Sequence, residues 1–144
     1  MDTARTAEPL IVERSYNAPV AKVWEALTDL KKLRQWYFNL DEFKAEVGFE
    51  FEFTAGDDKM QYRHLCRITE VIPFKKIAYT WRYDGFPGDS EVSFEVAEKG
   101  AGSHVTITHK GLESFPDSPS FARKSFNGGW THFIGTLQEF VEKA

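Results

Sequence analysis

Apolar positions along this 144-residue chain follow two periods in turn. Between Phe43 and Phe53 the step is two. Phe43, Ala45, Val47, Phe49, Phe51 and Phe53 share one phase, and Lys44, Glu46, Glu50 and Glu52 share the other. Such alternation predicts a strand with one wet and one buried face, or two short strands bent at Gly48. The same step recurs from Met60 to Ile72, with Tyr62, His64, Cys66 and Ile68 in phase, until Pro73 ends it. It recurs again over Lys76 to Tyr83 (Ile77, Tyr79, Trp81, Tyr83), Glu91 to Ala97 (Val92, Phe94, Val96) and His104 to Lys110 (Val105, Ile107, His109). Gly56–Lys59, Asp84–Asp89 and Lys99–Gly102 are rich in turn formers and read as the hairpin connections.

The flanks carry the other signals. Leu10–Tyr16 is β-prone and predicts a first strand, which Asn17-Ala18-Pro19 breaks. Pro19 near a helix start, then Val20, Val23, Trp24 and Leu27, predict a short helix. Thr28-Asp29 supplies a joint and a new cap, and Leu30, Leu33 and Trp36 predict a second short helix. From Ser118 to Ala144 the step is three and four: Phe126, Trp130, Phe133, Ile134, Leu137, Phe140 and Val141 form one stripe. Ser118 as N-cap and Pro119 at the first helical position would start that long helix.

One strand, two short helices, about five hairpin-linked strands and one long helix predict an antiparallel meander with one apolar face. A single cover suffices for such a sheet, and the last helix supplies it. The expected class is α+β in two layers, with a curved sheet of about six strands around the C-terminal helix. Length predicts one domain, residues 10–144, after a flexible segment 1–9.

Composition narrows the function. Aromatics reach 15%, with 13 Phe, enough to line an interior cavity as well as a core. A net charge of −4 speaks against nucleic acid and anionic membranes as partners, since both call for clustered Lys and Arg. The lone cysteine, Cys66, allows no disulfide framework, and MDTARTAEP has no apolar core of a signal peptide. A cytoplasmic protein with no membrane span is expected.

Several stretches together resemble a family: NAPVAKVWEALTD, VGFEFEF, CRITEVIPFKKIAYTWRY, SHVTITHKG and GGWTHFIGTLQEFVEK. Taken in order, from about Leu10 to Lys143, they are similar to the helix-grip, START-like (SRPBCC) superfamily. The similarity is greatest to the branch named after the C-terminal domain of the activator of heat-shock protein 90 ATPase. The resemblance implies a sheet gripping the C-terminal helix over an apolar cavity. It also implies a choice of tasks, because relatives bind lipids, hormones or polyketides and a few are cyclases or hydrolases. In the two-domain co-chaperones a separate N-terminal domain precedes this one, whereas about nine residues precede the first strand here. A heat-shock protein 90-type chaperone therefore stands as a partner without the ATPase stimulation being carried over.

If the sheet faces the helix, Phe51, Tyr62, His64, Cys66, Tyr79, Trp81, Phe94, His109, Trp130 and Phe133 point inward. Each alone reads as core packing. Together they read as a ligand-binding lining, because the polar tips of Tyr62, His64, Tyr79 and His109 need partners in an apolar interior. Trp36, Tyr37 and Phe38 are either staples into the sheet or an aromatic lip. Gly128-Gly129 inside the long helix calls for close packing or for a kink at the cavity mouth.

Other chemistries lack their motifs. There is no HExxH and no His/Cys spacing for a metal, no phosphate loop, and no GxSxG or GxGxxG, so no cofactor is expected. His64 and Cys66 share a strand face but stand about 6–7 Å apart, too far for a dyad. Three classes stay open: a binder of a hydrophobic small molecule, a partner-binding module, and an enzyme using His64, His109 or a tyrosine as acid and base.

Overall fold

The computed structural model describes residues 8–38, 40–56, 61–116, 121 and 123–143. Strand β1 (Leu10–Tyr16) leads into helices α1 (Val20–Thr28) and α2 (Leu30–Trp36). Strands β2 (Glu50–Gly56), β3 (Gln61–Ile72), β4 (Lys76–Tyr83), β5 (Ser90–Lys99) and β6 (Gly102–Lys110) follow, and α3 (Arg123–Lys143) closes the chain. The strands make one antiparallel sheet in the order β1-β6-β5-β4-β3-β2. Each of β2 to β5 pairs with its successor, and β1 lies beside β6. This is the α+β arrangement expected from the patterning, in the helix-grip form that the resemblance implies.

The local signals act where they were read. Asp29 caps α2 through its side chain, which accepts from the Lys32 N–H at 3.1 Å. Pro19 stands one position before α1, and its carbonyl accepts from the Lys22 and Val23 N–H groups at 3.1 and 3.2 Å. Ser118 and Pro119, expected to start the long helix, lie outside the described residues, as do Asp57–Lys59 of the first hairpin turn. Gly56 nonetheless pairs with Gln61.

The alternation from Phe43 to Phe53 does not make one strand. Pairing begins at Glu50, and Glu46–Phe49 closes a turn in which the Phe49 N–H donates to the Glu46 carbonyl at 3.0 Å. Gly48 supplies the left-handed backbone there, at φ 93°. Phe43 stays buried, but Val47, expected on the buried phase, is 66% exposed. Alternation fixes the facing side only while the backbone is extended, and this turn ends that condition.

Helix α3 lays Phe126, Trp130, Ile134, Leu137 and Val141 on the core. Each fully buried aliphatic side chain there contributes about 1.5–3 kcal/mol. Polar ties fix its C-terminal half. The Tyr16 hydroxyl donates to the Ile134 carbonyl at 2.6 Å, and the Thr136 hydroxyl to the Trp36 carbonyl at 2.9 Å. Trp36 in turn donates its indole N–H to the Ala26 carbonyl at 2.8 Å, locking α2 to α1. With that half pinned, the first half of α3 stands over β2, β3 and β4, and open space remains beneath it.

Candidate functional site

That space is a cavity of about 390 Å³. Its sheet wall comes from Ala55 and Gly56 of β2, Tyr62 and His64 of β3, and Trp81 and Tyr83 of β4. Strand register explains the grouping. Phe53 lies opposite His64, and His64 lies opposite Tyr83, so three rings form one row across three strands. Within the row His64 stacks on Phe53 at 4.5 Å and meets Tyr83 edge-on at 4.8 Å. The helix wall is Ser125, Phe126, Gly129, Trp130 and Phe133, spaced at three and four. Phe38, just after α2, closes one side and touches Phe53 and Phe133 at 4.2 and 4.8 Å. Phe121 closes another, against Tyr62 and Tyr83. No Asp, Glu, Lys or Arg is among the described lining residues.

A chain of hydrogen bonds runs behind the wall. The Trp130 indole N–H donates to His109 Nδ1 at 3.0 Å. The Ser90 hydroxyl donates to the Trp81 carbonyl at 2.7 Å, so at 2.8 Å it must accept from His109 Nε2–H. His109 is therefore neutral with its proton on Nε2, and burial takes its pKa down from 6.5 to about 3. The network sets both cavity tryptophans, Trp130 through its indole and Trp81 through its backbone. Trp81 then donates its own indole N–H to the Tyr83 hydroxyl at 2.9 Å. His64 is also neutral: burial lowers its pKa to about 4, partly opposed by hydrogen bonds to backbone carbonyls.

Of the residues singled out from the sequence, Tyr62, His64, Trp81, Trp130 and Phe133 border the cavity. Phe51, Cys66, Tyr79, Phe94 and His109 lie off it, on the same sheet face but under a filled part of the core. Tyr79 pairs its hydroxyl with that of Tyr37 at 2.6 Å, and burial pushes both well above the ordinary tyrosine range. Tyr37 also packs on Phe94 and Trp130, so α2 and its C-terminal residues occupy the room there. Burial raises the Cys66 thiol too, which leaves it an inert apolar group. His109 has both nitrogens engaged and no exposure.

The aromatic triplet after α2 divides its tasks: Trp36 is a staple, Tyr37 a core member, and Phe38 a lip. Tyr83 shares the phase of Trp81, a signal that already marked it as inward. Phe121 belongs to no period, and nothing in the sequence flags it. Close packing does not account for Gly128-Gly129, because a Cβ at either position would meet no atom within 4 Å. Helix α3 runs unbroken through the pair, and Gly129 leaves the cavity rim bare. Among the described residues no group of three or more His, Cys, Asp or Glu could hold a metal ion. Among them, too, no helix is long and apolar enough to cross a membrane.

Comparison with known proteins agrees with this architecture. The family model described as Activator of Hsp90 ATPase homolog 1-like protein matches residues 17–142. A solved protein of Mesorhizobium loti is 25% identical with a TM-score of 0.78, over 95% of this chain and 98% of that one. A protein of Chromobacterium violaceum is 26% identical with a TM-score of 0.78, over 96% of this chain and 100% of that one. DynU16, from the dynemicin biosynthetic locus, shares the fold at 22% identity and a TM-score of 0.79, over 96% of this chain and 48% of that one. No match is found among curated proteins.

Proposed function

The chain belongs to the Activator of Hsp90 ATPase homolog 1-like family, and from that premise we propose that it binds a hydrophobic or aromatic small molecule in the cavity beside Trp130. The cavity itself carries the reading. About 390 Å³ lies within the range of small-molecule sites, and the walls are aromatic with a few placed polar groups. Filling that space with side chains would have been the simpler route to stability, since cavities weaken a core. Instead Gly129 keeps the rim open, at about 1 kcal/mol in helix propensity relative to Ala. A neighbour in a biosynthetic locus fits the same reading.

Native mass spectrometry of freshly purified protein tests it. The expected spectrum contains an adduct that leaves on denaturation and that is lost in Gly129→Trp. An adduct-free spectrum, together with no uptake of any added aromatic probe, would remove the proposal.

A second reading has one observation in its favour. At the β3–β4 turn Ile72 and Phe74 are 40% and 53% exposed beside a groove of about 670 Å³. Phe74 holds φ 64°, a conformation that costs a non-glycine residue about 1–2 kcal/mol. An exposed aromatic kept in a strained turn suits a partner-binding patch, and a heat-shock protein 90-type chaperone is the partner the family suggests. Capture of that chaperone by the wild-type chain, lost in Phe74→Ser, is the expected result; equal capture by both removes this reading.

A further inference from the structure

We propose that His109, with Ser90, makes the cavity selective for flat ring systems by holding Trp81 and Trp130 at one fixed angle in its wall. This rests on the reading of the cavity as a binding site and adds what the site prefers and which residues set the preference. Both are positioning residues, since neither is among the described lining residues.

His109 is a hub behind the wall. Its ring meets three lining rings at steep angles: Phe126 at 5.2 Å and 85°, Trp81 at 5.7 Å and 70°, and Trp130 at 5.7 Å and 74°. An apolar side chain would supply such contacts without the cost of burying an imidazole. What the imidazole adds is direction.

That direction follows from the donors and acceptors. Indole N–H can only donate, so His109 Nδ1 accepts from Trp130 at 3.0 Å. Nε2–H then donates to the Ser90 hydroxyl at 2.8 Å, and Ser90 donates to the Trp81 carbonyl at 2.7 Å. The far end is tied as well, because the Trp81 indole donates to the Tyr83 hydroxyl at 2.9 Å. Ring packing alone tolerates a range of angles, whereas a buried hydrogen-bond chain of fixed polarity admits one. Trp130 is held in a single orientation and meets Trp81 at 62°, with centroids 5.2 Å apart.

A corner of two fixed aromatic rings suits a flat guest, which can stack on one ring and turn its edge to the other. A globular guest of the same carbon count gains neither arrangement. Were Trp130 free to turn, the corner would have no fixed angle and the advantage of a flat guest would fade.

Isothermal titration of the full chain with 2-naphthol and 2-adamantanol tests the proposal. Both are neutral alcohols of equal carbon count, one flat and one globular. The wild-type chain should bind 2-naphthol about tenfold more tightly, the scale of one or two aromatic contacts. Ser90→Ala and His109→Leu change no described lining side chain but cut the chain of hydrogen bonds. In each the ratio should fall to about threefold or less. A purely structural role would weaken both alcohols alike and leave the ratio as it was, which would overturn the proposal. Equal binding of the two alcohols by the wild-type chain would overturn it too, with the cavity reading left standing. Failure of the wild-type chain to bind either alcohol would take both down. Either variant decides alone, so misfolding of one does not shelter the proposal.

Discussion

Mild acid should destabilise this protein through two buried imidazoles. His109 is fully buried, with Nδ1 accepting from Trp130 and Nε2–H donating to Ser90. A second proton on Nδ1 would set N–H against N–H, and burial takes the pKa from 6.5 down to about 3. His64, stacked on Phe53, falls from 6.5 to about 4. In the unfolded chain both bind a proton near pH 6.5. Below that pH the unfolded state holds more protons than the folded one, so stability drops as pH drops. The loss runs from about pH 6.5 to about 4 for His64 and to about 3 for His109, then levels off. Inside its window each group contributes about 1.4 kcal/mol per pH unit. Integrated from pH 7.5 to pH 5, that is about 2 kcal/mol each and about 4 kcal/mol together, a large share of a domain's usual 5–15 kcal/mol. Glu142, whose carboxylate is held low by the Asn17 N–H and Gln138, acts with the same sign but below this window. Urea midpoints followed by tryptophan fluorescence at half-unit steps from pH 7.5 to 5 give the profile. His64→Phe should remove about half of the change. A flat wild-type profile above pH 5, or an unchanged slope in His64→Phe, would refute the reasoning.

Three further outcomes follow from the same geometry. Gly128→Ala and Gly129→Ala should each raise stability, by up to about 1 kcal/mol in a thermal melt, because the added Cβ meets open space. Gly129→Leu should keep the fold but weaken uptake of aromatic probes by titration, since its side chain would stand on the cavity rim. Ser90→Ala should cost about 1–3 kcal/mol in urea denaturation, because it leaves His109 Nε2–H buried without an acceptor.

Much of the architecture was legible in the sequence because its signals are local. Period two marked β3 to β6 and their inward phases, and period three to four marked the stripe of α3. Asp29 announced a cap that is present. The exception is instructive: Phe43 to Phe49 kept the alternation of a strand while a glycine turn removed the extended backbone that gives alternation its meaning. The candidate site was legible only by half. Phase tells which face of the sheet a residue takes, and His64, Cys66, Tyr79, Trp81, Phe94 and His109 all take the same one. It does not tell where along that face the room is already filled. Tyr37, swung in from α2, occupies the space over Tyr79 and Phe94, whereas His64, Trp81 and Tyr83 border the cavity. That division depends on elements far apart in the chain, and the proton position on His109 depends on Ser90 and Trp130, 19 and 21 residues away, coming within hydrogen-bond reach. Only the packed chain brings them together.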